Sequence, residues 1–486
     1  MGHEMSFLGI DLGTSGLRLL LVDDAGGVLA SVEREYKTQR PHEGWSEQAP
    51  ADWVAALEDG VAELRVRCPA FADLRGIGVS GHMHGAVALD ASGEVLRPCI
   101  MWNDTRAHAE AAELDTAKAV RGLSGNIVFA GFTAPKLVWM AKHEPAVFAQ
   151  IETVVLPAGF MNFALTGEPV ADLSDSAGTA WLDVAGRDWS DKLLAASGMQ
   201  REQMPRLVEG SEKAGVLRAD IAARWGVGPD VVVAGGAGDN AAAACGIGAL
   251  SEGIGFVSLG TSGVVLCARD RCAPAPASAV HTFCHAVPDH WYQMGVMLSA
   301  TDSLNWWGRI TGRTPAELSG ALGDELRAPQ SAQFLPYLAG ERTPHNDTAL
   351  RGTFCGLSHD TTQEAMTQAV LEGVAFGLRD SLDALRSVGA APKRLFAIGG
   401  GAKSRYWVSL LATVLDLPLD LPAGGEFGAA LGAARLGMCA ATGVGPNVVM
   451  LAPEVETSVM PVAELVAPFE AAYKRFRAAG PQGESG

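Results

Sequence analysis

The pentapeptide LGTSG occurs twice, at Leu12 to Gly16 and at Leu259 to Gly263, and apolar runs of strand length frame each copy. FLGID precedes and LRLLLVD follows the first; IGFVS precedes and VVLCA follows the second. A strand, a turn of small residues and a second strand are thus written twice. The chain is rich in glycine, with 58 in 486 residues, but the matched flanks favour duplication of a structural unit over coincidence. The repeat predicts two similar domains, 1–248 and 249–486, on either side of a cleft. Elsewhere, runs such as LRGIGVSG and VVVAGG alternate with the amphipathic stretches ADWVAALEDGVAELRVR and TQEAMTQAVLEGVAFGLRDSLDALRSV, which predicts a layered α/β protein. The second stretch reads as a helix from about 362 to 388 that ends before Gly389, with Met366, Ala369, Val370, Gly373 and Phe376 on one stripe.

Small turns leave backbone N–H groups, and the hydroxyls of Thr14, Ser15, Thr261 and Ser262, free to surround an anion. Two such turns facing one cleft suggest a nucleoside triphosphate clamp. The copies differ in what precedes them: Asp11 stands before the first and Ser258 before the second. A lone carboxylate beside phosphates suits Mg²⁺, which binds oxygen and keeps most of its waters.

Other segments carry polar groups at glycine turns. In VVVAGGAGDNAAAACGIGAL a buried strand runs through Gly235, Gly236 and Gly238 to Asp239 and Asn240, and then into a helix of small residues. Asp239 reads either as a helix N-cap or as a carboxylate that accepts a hydroxyl proton. SGHMHG at 80–85 and MWNDTR at 101–106 follow apolar runs; Trp102 offers a flat face to a sugar, and His84, Asn103 and Asp104 offer hydroxyl partners. Period-two geometry would put His82 and His84 on one side of an extended segment. LFAIGGGAKSRYW carries a strand into Gly399, Gly400 and Gly401 and out into a helix, open to a planar or phosphorylated ligand but without GxGxxG spacing. No Walker A sequence, GxSxG elbow or HRD loop is present. Cys267, Cys272, His281 and His285 imitate a zinc pattern, but the gap between the pairs is short and the histidines lie in an apolar run, which reads against zinc.

Charge limits the partners: 37 basic against 55 acidic side chains leave −18, which reads against nucleic acid. No uninterrupted apolar run of about 20 residues suggests a membrane span, and MGHEMSFLGID lacks a basic leader. Eight scattered cysteines without a CxxC pair suggest reduced thiols and a cytoplasmic enzyme.

As a set, IDLGTSG, SGHMHG, WNDTR, GFTAPKLVW, SDSAGTAWLDV, GDNAA, SLGTSG, HTFCHAVP, LPYLAGERTPHND, AVLEGVAFGLRD, IGGGAKSRYW and GAALGAARLG resemble the FGGY carbohydrate kinases from about Phe7 to Gly437. The resemblance implies two actin-like, ribonuclease-H-like ATPase domains, with ATP and Mg²⁺ on one side of the cleft and sugar on the other. It implies transfer of the γ-phosphoryl group to a ketopentose, the 5-hydroxyl of D-xylulose ahead of ribulose, glycerol or gluconate, in a chain that could form a homodimer. Carried onto this sequence, it makes Asp239 the general base, Asn240 its substrate-contacting neighbour, Met83 and His84 sugar contacts and Trp102 the stacking wall. It also makes Asp11 the Mg²⁺-associated carboxylate, Thr14, Gly260 and Thr261 parts of the phosphate turns, and Gly400, Gly401 and Ala402 the adenosine rim. His82 where Gln is usual, Ala158 and Gly159 in place of a basic and an acidic residue, and Ala365 depart from the family pattern.

Overall fold

The computed structural model describes residues 5–423 and 428–481. Its frame is two mixed sheets, each built around one LGTSG hairpin. In the first, Ser6–Leu12 pairs antiparallel with Gly16–Asp23, which pairs with Val28–Glu35. On its other side Ser6–Leu12 runs parallel to Leu74–Gly81, beyond which lie Val232–Ala234 and Lys213–Val216. The second sheet repeats this centre: Gly255–Leu259 pairs antiparallel with Gly263–Arg269 and parallel with Leu395–Ile398. Trp291–Met297 and His281–Cys284 extend one edge, Leu419–Pro422 and Val455–Val459 the other. This is the two-domain α/β architecture the repeat predicts. It puts the two hairpin turns at corresponding ends of the central strands, Leu12 facing Leu17 and Leu259 facing Gly263.

Local rules account for the covering helices. Pro50–Arg67 starts on proline, carries Asp52 in its first turn and Arg65 and Arg67 in its last, and buries Trp53, Leu57, Val61 and Leu64 along one face. The helix anticipated near 362–388 spans Gln363–Ser387; the Thr362 side chain caps it by accepting from Ala365 N, and Ala369, Val370, Gly373 and Phe376 are buried.

One element ignores the division at residue 248. Gly428–Thr442, late in the chain, packs against Ser6–Leu12 and Leu74–Gly81 of the first sheet and lies along Asp239–Gly246. Glycines bring the backbones together: a Cβ on Gly9 would stand 1.9 Å from the Ala430 carbonyl oxygen, and one on Gly432 would stand 1.8 Å from that of Ala242.

Candidate active site

At the first turn every carbonyl is tied outward. Tyr36 donates its hydroxyl to Gly13 O and its backbone N–H to Ser15 O, and Gln48 Nε2 donates to Thr14 O at 2.7 Å. Trp53 Nε1 fixes Gln48 in turn by donating to its Oε1 at 2.9 Å. The N–H groups of Thr14 and Ser15 have no partner among the described residues, which is the arrangement that receives an anion. Trp102 is half-buried and its indole N–H donates to Thr14 Oγ1 at 3.1 Å, so this side chain is part of the turn's own support. At the second turn Gly260 O accepts from Thr301 N and Oγ1, and Thr261 O accepts from Ala300 N and Asp302 N. The helix Thr301–Thr311 is thereby pinned beneath that turn.

Asp11 lies opposite Ser80 in the parallel pairing and accepts from its hydroxyl at 3.1 Å. Burial raises its pKa, against the lowering pull of Ser80 and Arg18. Asp239 opens the helix Asp239–Gly246, whose N-cap is Gly238, so the carboxylate is not the cap. Its Oδ1 accepts from Asn240 N at 2.7 Å and from Asn240 Nδ2 at 2.8 Å. Burial, and then the charge of Asp11, push its pKa up to about 7. Asn240, expected as a substrate contact, orients this carboxylate. Gly238 in turn donates to Ser174 Oγ at 3.1 Å, and a Cβ on Gly238 would press to 2.8 Å from Met83 Cγ. The structure thus gathers Asp11, Met83, Asp239 and Asn240 into one place.

The histidine segment departs from expectation. The strand ends at Gly81 and the chain turns, with His84 at a left-handed φ of 70°, so His82 and His84 do not share a side. His82 is buried edge-on to Trp53, and neither ring nitrogen is hydrogen-bonded among the described residues. His84 stacks on Phe132, and its Nδ1 lies 2.7 Å from Gly178 O, so Nδ1 carries the proton and donates. Burial holds its pKa well below the ordinary value, despite the Gly178 bond. The ring is neutral and its Nε2 is an acceptor.

One further expectation is corrected. Asp104 is not a hydroxyl partner: its carboxylate takes Arg106 Nε and N on one oxygen and Arg106 Nη2 and Ser46 N on the other. It is a buried ion pair, extended by Glu47 and by Arg106 lying 3.5 Å over Trp45. Ala402 lies with the glycines in the short turn Gly400–Lys403 and packs in part on the second core. Its neighbours Gly400 and Gly401 do line a cavity of about 570 Å³, with Thr301, Asn305, Lys403 and Tyr406. Asn103 keeps a buried Oδ1 without a partner among the described residues. His281 lies against Phe129 and Phe283 and His285 faces Ala249 O; no cluster of three or more potential metal ligands occurs among the described residues.

Sequence reasoning missed Lys136. It is fully buried, donates to the carbonyls of His84 at 2.6 Å and Gly131 at 2.7 Å, and burial lowers its pKa to about 7. A single cation inside the apolar run TAPKLVWM was the available clue, because a buried ammonium must find acceptors.

The N-terminal domain model of the FGGY carbohydrate kinases matches residues 6–246, and the C-terminal domain model matches 255–441. The chain belongs to that family. Among FGGY relatives, the xylulose kinase of Escherichia coli (strain K12) is 43% identical over 479 residues, 97% of this chain and 98% of its own. That of Klebsiella pneumoniae is 46% identical over 434 residues, 88% and 89% of the two chains. Among solved FGGY structures, a "xyloylose kinase" from Brucella ovis superposes with a TM-score of 0.95 at 53% identity, covering 97% of this chain and 98% of that one. No helix among the described residues is long and apolar enough to cross a membrane.

Proposed function

We propose that the chain is an ATP-dependent xylulose kinase that phosphorylates the 5-hydroxyl of D-xylulose. The carrying observation is the half-buried Asp239 carboxylate, with a pKa pushed to about 7 at the head of a helix beside Asp11 and Met83. Relatives named xylulose kinase, matching nearly the full chain, support the choice of sugar. In this reading Asp239 accepts the proton of O5–H as O5 bonds to the γ-phosphorus and the bond from that phosphorus to the β,γ-bridging oxygen breaks, releasing ADP. His84 Nε2 and Asn103 Oδ1 accept from other hydroxyls, Met83 and Trp102 wall the sugar, and the N–H groups of the two small turns hold the phosphates. Gly400 and Gly401 leave room for the adenosine.

The residues also fit a magnesium ion. Asp11 spends one hydrogen bond on Ser80 and has no other partner among the described residues, and Mg²⁺ needs only one or two carboxylates when phosphates complete its shell. Bound with ATP, the ion neutralises charge on the transferring group. Eight free thiols accord with a cytoplasmic enzyme. A coupled assay of ADP release across pentuloses, hexuloses and polyols tests the reading: D-xylulose should give the highest kcat/KM, and preference for a hexulose or a polyol would overturn it.

A further inference from the structure

Arg342 belongs by sequence to the second half of the chain but works on the first. Its segment is strapped to the second sheet, with Glu341 Oε1 accepting from Leu298 N and Arg342 N, and Thr343 N donating to Val296 O. From there the guanidinium extends over the Phe129 ring, 5.2 Å from its centroid, and against Gly131, where a Cβ would stand 3.2 Å from Nη2. Gly131 is also the residue whose carbonyl holds Lys136, which in turn holds the His84 carbonyl. The guanidinium therefore lies over the loop that shapes the sugar wall.

It is a half-buried cation with no hydrogen bond or ion pair from its guanidinium nitrogens among the described residues. Glu341, its nearest acid, spends Oε1 on backbone N–H groups and leaves Oε2 buried without a partner. Its donors, held in a planar fork above an aromatic face, are therefore free for a ligand with acceptor oxygens in one plane. The position within the site follows from the rings beneath Arg342. Phe129 packs edge-on against Phe132, their centroids 5.6 Å apart, and His84 stacks on Phe132 at 4.8 Å. Arg342 thus stands on the His84 side of the site.

We propose that Arg342 is a specificity-determining residue whose guanidinium binds the sugar end remote from the transferred phosphoryl group, donating to the carbonyl oxygen and the neighbouring hydroxyl of a ketose. The proposal rests on the reading of Asp239 as base toward the opposite terminus of a ketopentose. A carbonyl oxygen presents two lone pairs in a plane that matches the fork, whereas the hydroxyl of the reduced polyol presents a tetrahedral oxygen with its own proton to place. A contact made equally in the ground state and the transition state is lost from KM rather than kcat, and that is the role proposed for Arg342.

The test is steady-state kinetics of the full chain and of Arg342→Gln and Arg342→Lys on D-xylulose, xylitol and gluconate. Expected are a KM for D-xylulose raised about 10- to 100-fold in Arg342→Gln, an unchanged KM for ATP, and a preference for ketose over pentitol reduced about tenfold in both variants. An unchanged sugar KM with only a lowered Tm would make Arg342 a structural strut and overturn the proposal. So would a wild-type preference for gluconate that Arg342 carries, since the occupant would then be a carboxylate. Should Arg342→Gln not fold, Arg342→Lys and D-xylulose-dependent protection of 129–132 from hydrogen exchange, measured without nucleotide, decide the matter; absence of protection overturns it. Failure of the underlying reading shows separately, in a wild type that does not prefer D-xylulose.

Discussion

The two LGTSG hairpins share five residues and a parallel neighbour strand, yet they pair in registers one residue apart and are held in different ways. The first is braced by side chains, Tyr36, Gln48 and Trp102, with Asp11 immediately before it. The second is braced by the backbone and hydroxyl at the start of the helix Thr301–Thr311, with Ser258 in the matching position. A duplicated loop can keep one task, receiving an anion on its N–H groups, while its surroundings diverge. The side-chain bracing couples the first turn to Trp102, the proposed sugar wall. The helix bracing couples the second to the cavity lined by Gly400 and Gly401. On this view charge and proton chemistry are concentrated in the first half, and the second half supplies the nucleotide's seat.

Asp239→Ala would break that contrast most severely. With the proton acceptor gone, kcat at saturating substrate should fall about 10²- to 10⁴-fold; a near-normal kcat would place the base elsewhere. Exchanging the copies' distinguishing residue sharpens it. Asp11→Asn should lower the rate roughly 10- to 100-fold and raise the Mg²⁺ concentration needed for half-maximal rate, whereas Ser258→Ala should leave both within about twofold. Equal effects at the two positions, read from Mg²⁺ titrations, would show the hairpins to be functionally equivalent. The protonation of Asp239 has a defined sign: its pKa is raised to about 7, so the carboxyl is protonated and idle below that pH. Activity as kcat/KM should fall about tenfold per pH unit on the acid side and level off above about 7, and a profile flat down to about pH 5 would remove Asp239 from the role of base. The smallest effect concerns the brace itself. Trp102→Phe keeps an aromatic wall and deletes the N–H to Thr14, a neutral hydrogen bond worth about 1 kcal/mol, so KM for ATP should rise about two- to fivefold while the KM for D-xylulose changes less.

How much of this was legible in the sequence depends on distance along the chain. Strand, turn and strand at each hairpin, and the long helix from Gln363, follow from periodicity and caps that act within a few residues. Asp11 and Asp239 could be singled out because each stands beside glycine turns. His84 could not be oriented, because its left-handed φ of 70° reverses the period-two rule that an extended segment would obey. Asp104 looked like a free acid because its partner Arg106, two residues on, reads as exposed charge; only burial beside Trp45 and Glu47 turns the pair inward. Arg342 lies some 200 residues from the Phe129 loop, and no local pattern announces a contact of that span.

The helix Gly428–Thr442 also has a consequence in time. It covers the first sheet and lies along the helix Asp239–Gly246, but it leaves the ribosome about 190 residues after the last strand of that sheet. At roughly 5 to 20 residues per second, the nascent first domain waits on the order of ten to forty seconds with that face of Ser6–Leu12 and Leu74–Gly81 uncovered. The first half is complete in sequence long before it can be complete in structure. Its last protective layer arrives only when the second half has nearly all been made.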